Sequence, residues 1–78
     1  MTEAAYDGFR FEHTRPDMNS PGGKLKTHIL AVARSLEEAR NSAGERLPAH
    51  GLHLISHGPK DLEAARSLHI RDGEARLL

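Results

Sequence analysis

The chain has no cysteine and no tryptophan, a single tyrosine and two phenylalanines, and no net charge, because 11 basic side chains balance 11 acidic ones. Each absence removes a class of function. Without cysteine there is no disulfide, thiol nucleophile, thiolate zinc site or cysteine-ligated cluster, which fits a reducing compartment. Without a basic excess, phosphate-driven binding of nucleic acid is disfavoured. Lys24 and Lys26, near Arg15, form only a small basic patch, and three aromatic residues offer little for stacking RNA bases. No apolar run is long enough to cross a bilayer, and the opening Met1-Thr2-Glu3-Ala4-Ala5 is acidic, unlike a secretory leader. A cytoplasmic location is therefore the expectation.

Large apolar side chains are also scarce. Hydrophobic residues are 37% of the 78 positions, and ten of them are alanine. Leu, Ile, Val and Phe together number sixteen, close to the roughly one-fifth share below which chains tend to disorder. The absence of net charge counters that tendency, because disorder pairs low hydrophobicity with self-repulsion. The expectation is one small domain, residues 1–78, with a thin core that buries about 60% of its unfolded surface. A domain of this kind is commonly stapled. A metal held by His and carboxylate ligands, or a partner chain, are the staples left.

The pattern along the chain is nonetheless definite. Residues 1–7 read as a flexible N-terminus. From Gly8 to Thr14 side chains alternate, with Phe9, Phe11 and His13 on one side and Arg10 and Glu12 on the other, which predicts a half-buried strand. Residues 15–23, rich in Pro, Gly, Asn and Ser, read as a loop. A second strand follows from Lys24 to Arg34. Its centre, Ile29 to Ala33, is apolar on both faces, as in a central strand. Ser35-Leu36-Glu37-Glu38 is a capping box opening a helix whose Leu36, Ala39, Ala43 and Leu47 recur at helical spacing. Pro48 ends it.

Leu52 to His57 predicts a third strand, and Pro59 suits the first turn of a second helix with Leu62, Ala65 and Leu68 as its apolar stripe. Asp72-Gly73 is a hairpin turn signal, so the tail ends in a short strand pair or in one edge strand, Ala75 to Leu78. The predicted class is α+β: a small two-layer domain with a three- to four-stranded sheet and two helices on one face. The order is β-β-α-β-α, followed by a C-terminal strand or hairpin. A sheet covered on one side leaves its other face open.

Six histidines invite a metal reading, with His28, His53 and His57 as candidate ligands. In a regular strand His53 and His57 point the same way but lie about 13 Å apart. His53 therefore pairs more readily with a residue on a neighbouring strand, His13 or His28. The competing reading is a set of polar histidines on a solvated face. Ser56 beside His57 makes no nucleophile pair, because neighbours in a strand face opposite ways. Gly22-Gly23-Lys24 leads into a strand, not into the helix that a phosphate-binding loop requires. No catalytic residue and no cofactor is expected.

Edge strands remain as the candidate function. Phe9 and Phe11 on the first strand, and Leu77 and Leu78 at the C-terminus, are the candidate partner-binding residues. The resulting expectation is a non-enzymatic protein–protein interaction module, such as a regulator, an adaptor or a mobile-element-type inhibitor. It would act through an open sheet face or an edge strand on a protein partner or a second copy of itself. The alternative is a His-based domain for a metal or small ligand, with RNA binding as a third reading.

Overall fold

The structure is a computed structural model that describes residues 5–19 and 22–78. Its elements are β1 (Asp7–Pro16), β2 (Lys24–Ala33), α1 (Leu36–Gly44), β3 (Leu52–Gly58), α2 (Pro59–Ser67) and β4 (Ala75–Leu77). The four strands form one sheet in the order β3-β1-β2-β4, with every neighbouring pair antiparallel. The α+β class, the strand count and the element order are those the sequence predicts. The tail resolves to one edge strand. Asp72-Gly73 turns the chain onto β2, where Val32 accepts the Gly73 N–H at 2.7 Å and donates to the Glu74 carbonyl at 2.9 Å.

The expectation of two layers, with both helices on one face, is corrected. Residues paired across neighbouring strands share a face. Phe9 pairs with Ala31 and Phe11 with Ile29, and these pack with Ala39 and Ala43 of α1. Gly8 pairs with Val32 and Arg10 with Leu30. On that side Leu30 and Val32 pack with Ala65 of α2 and with Ile70. The sheet therefore lies between the helices. The physical reason is the apolar run Ile29 to Ala33: with both helices on one face, Leu30 and Val32 would face water. Among the described residues, each face of the sheet has a helix packed on it.

Boundaries shift for similar reasons. Tyr6 packs against the α2 side of the core, with the Arg34 guanidinium 5.2 Å from its ring centre, so the N-terminal stretch is anchored by residue 6. Residues 1–4, where the flexible N-terminus was expected, lie outside the described residues. The expected 15–23 loop shortens because β1 runs on to Pro16; Ser20 and Pro21 within it lie outside the described residues. In α1 the Ser35 hydroxyl accepts the Glu38 N–H at 3.1 Å, one half of the capping box. The Glu38 carboxylate turns to Arg34 at 3.8 Å. Leu36 and Leu68, expected in the helix stripes, are exposed. His69, with φ 59°, reverses the chain after α2, so that Ile70 fills the place expected of Leu68.

Small residues let the helices approach closely. A Cβ at Gly8 would overlap the backbone of Asp61 and Leu62 in the first turn of α2. Gly44, at the end of α1, has open space around it. Gly8→Ala is expected to lower unfolding free energy by about 3 kcal/mol through overpacking. Gly44→Ala should raise it by about 0.5 kcal/mol through helix propensity. Urea denaturation of the two variants measures both, and a tolerated alanine at position 8 would contradict the packing.

Candidate functional site

α2 covers only part of its side of the sheet. Beyond it, the same face carries Glu12 on β1, paired with His28 on β2 and with His53 on β3. His28 Nε2 lies 3.2 Å from Glu12 Oε2, and Lys26 Nζ lies 3.9 Å from Glu12 Oε1. This is a row of partly exposed polar and charged groups across three strands. Exposed pairs of this kind each contribute about 0–1 kcal/mol.

Of the three histidines proposed as ligands, the fold brings His28 and His53 to either side of Glu12 and removes His57. The cause is a bulge. β1 pairs Arg10 with Ser56 but Phe11 with Leu54, so Ile55 is an extra residue in β3. The added residue flips the alternation between His53 and His57. His57 consequently lies on the α1 side, stacked on Phe9 with ring centres 5.8 Å apart. Among the described residues no three His, Asp or Glu side chains are placed to hold a metal ion. The shared face expected of His53 and His57 is thereby corrected, because the extra residue breaks the regular alternation.

The partner-binding candidates divide in the same way. β1 is an inner strand with neighbours on both sides, and Phe9 and Phe11 are core residues at 7% and 0% exposure. They offer nothing to a partner. The alternation Phe9-x-Phe11 marks a buried face without distinguishing an inner strand from an edge. Leu77 on the outer strand β4 and Leu78 just past its end are about half exposed.

The outer edges can be read from the hydrogen-bond alternation of antiparallel strands. The Asp17 N–H donates to the Gly23 carbonyl at 3.0 Å, so odd-numbered residues of β2 bond to β1. Even-numbered residues of β2 face outward. Val32 does so onto Glu74, and His28 accepts the Leu78 N–H at 2.9 Å. Past Leu78, the outward N–H and C=O groups of Lys26 and Lys24 have no backbone partner among the described residues.

On β3 the Gly51 carbonyl accepts the Thr14 N–H at 3.1 Å, and the inward series continues through His53, Ser56 and Gly58. The outward groups belong to Leu52, Leu54 and His57, and Ala49 already accepts the Leu52 N–H at 3.1 Å. Because of the bulge, Leu54 and His57 do not have the two-residue spacing that a regular strand would need. Lys24, Lys26 and exposed Leu25 were not singled out as strand-edge residues from the sequence. The lysine alternation at the start of β2 was the available signal.

A second polar group is structural. Asp61, in the first turn of α2, is buried at 9% exposure. It accepts a hydrogen bond from the Ser56 hydroxyl at 2.7 Å and lies 3.4 Å from Arg10 Nε. The Arg10 contact is a charge contact without hydrogen-bond alignment. With Ser56 turned to Asp61 and His57 on the other face, the two form no nucleophile–base pair. Lys24 opens β2 and no helix, so Gly22-Gly23-Lys24 is a hairpin connector. Comparison of the chain with protein-family models, curated proteins and solved structures finds no match.

Asp61 thus joins β1, β3 and α2. Asp61→Ala is expected to cost about 2 kcal/mol, because Arg10 Nε and the Ser56 hydroxyl both lose a buried partner. Asp61→Asn should recover part of the loss by accepting from Ser56. Glu12→Ala, in the exposed row, should cost less than about 1 kcal/mol. Chemical denaturation ranks the three, and a larger loss at Glu12 than at Asp61 would reverse the assignment.

Proposed function

We propose that this chain is a non-enzymatic protein–protein interaction module that binds an extended segment of its partner by strand addition. The observation that carries this reading is the stretch of β2 edge beyond β4, where strand backbone groups face outward without a partner among the described residues. Such an edge is a template for another strand, with main-chain hydrogen bonds supplying affinity and side chains on alternate faces supplying specificity. No competing reaction is favoured by the side chains: Ser56 and His57 lie on opposite faces, and Glu38 and Asp61 at the helix starts pair with Arg34 and Arg10. No described helix is long and apolar enough to cross a membrane. The lack of cysteine supports action in a reducing compartment such as the cytoplasm.

Blocking the edge tests the reading. The Lys26 N–H faces outward, so Lys26→Pro removes a docking donor while leaving the β1–β2 ladder intact. Leu54→Pro does the same on β3. A protein partner captured by the unaltered chain is expected to be lost from the doubly substituted chain, with folding checked by circular dichroism. A partner retained equally by a folded, doubly blocked chain would contradict strand addition.

A further inference from the structure

We infer that the open edge of β2, from Lys24 to Thr27, docks an acidic extended peptide segment whose carboxylates alternate with apolar residues. The inference rests on the strand-addition reading above and assigns its site and partner chemistry.

Three observations converge on this stretch. First, its backbone is regular. The outward groups at Lys24 and Lys26 are two residues apart, as an incoming antiparallel strand requires, whereas the outward groups of β3 are thrown out of register by the bulge at Ile55. Second, two side chains on the α2 side, Lys24 and Lys26, are cationic. Lys24, Lys26 and His28 follow one another on that face. Lys26 and His28 share Glu12, while Lys24 makes no ion pair among the described residues. Third, the opposite face is apolar at its exposed positions. Leu25 is 40% exposed, and Leu77, paired with Ile29 on the same side, is 46% exposed.

A strand laid antiparallel along this edge continues the line of β4. Its residues opposite Lys24 and Lys26 lie on the cationic face, and its residue opposite Leu25 lies on the apolar one. Carboxylates at the first two positions and an aliphatic side chain between them satisfy both faces. The same lysines disfavour a second copy of this chain, because two β2 edges would set lysine against lysine. One device therefore repels self-pairing and selects an acidic partner.

The test is a nuclear magnetic resonance titration of the full ¹⁵N-labelled chain with an acetylated, amidated peptide of three Glu-Val repeats at low salt. The expected result is saturable shifting and slowed hydrogen exchange of the Lys24 and Lys26 amides, with Kd below about 1 mM. Higher salt should weaken it, since the charges are exposed. Replacing both lysines (Lys24→Glu, Lys26→Glu) should weaken binding at least about tenfold. The edge-blocking control, Lys26→Pro, should abolish protection of the Lys24 amide without altering the remaining spectrum. A peptide of three Lys-Val repeats should not bind. Shifts at Leu54 and His57 in place of β2 would overturn this assignment and leave strand addition standing. No shift at either edge would overturn both. Oligouridylate binding to the same lysines as tightly as the peptide would overturn the peptide assignment.

Discussion

A strand with apolar side chains on both sides has to be covered on both sides, and the rest of this fold follows from that constraint on β2. Ile29, Ala31 and Ala33 face one way, Leu30 and Val32 the other, and all are fully buried. Neither group could be left to water without losing a large share of a core that has few large side chains. The two crossover connections meet the demand. The link from β2 through α1 to β3 passes on one side of β1, and the link from β3 through α2 to β4 crosses the other side to the far edge. Each helix contributes mainly alanine to its contact, which permits close approach and accounts for a domain that folds with sixteen large aliphatic and phenylalanine residues.

Close approach has a polar counterpart. At Gly8 the first turn of α2 rests directly on the β1 backbone, and Asp61 in that turn meets Arg10 and Ser56 from two strands. The aspartate also lies near the positive end of its helix, where a carboxylate is favoured. This small network fixes α2 across the sheet at the point where the bulge at Ile55 re-aims β3. Below that level the sheet extends past both helices, and the β1–β2 hairpin carries exposed charge in place of core.

Much of the fold was legible because it depends on local patterning. Phe9, Phe11 and His13 announced a strand by alternation, Ser35 announced a helix start, and Pro59 announced another. The core at Phe9, Phe11, Ile29 and Ala39 was readable for the same reason. The candidate site was much less so. Phe9 and Phe11 suggested a partner surface until β1 proved to be an inner strand, a matter of pairing order between segments distant in sequence. His53 and His57 were counted onto one face by a period of two, and a single inserted residue reversed that count. The β2 edge is not legible in the sequence, because an edge is a property of what pairs with a strand, not of the strand itself.

The shortage of cysteine, aromatics and net charge determined, by itself, which chemistries this chain lacks the groups to perform. Together with the local periodicities it determined the element types and most of their order, because those depend on neighbours a few residues apart. Only the tertiary structure decided that the helices lie on opposite faces, that His57 parts from His28 and His53, and that Lys24 and Lys26 border an open edge. Those features arise from strand order and register, which are set by contacts between segments that the sequence keeps far apart.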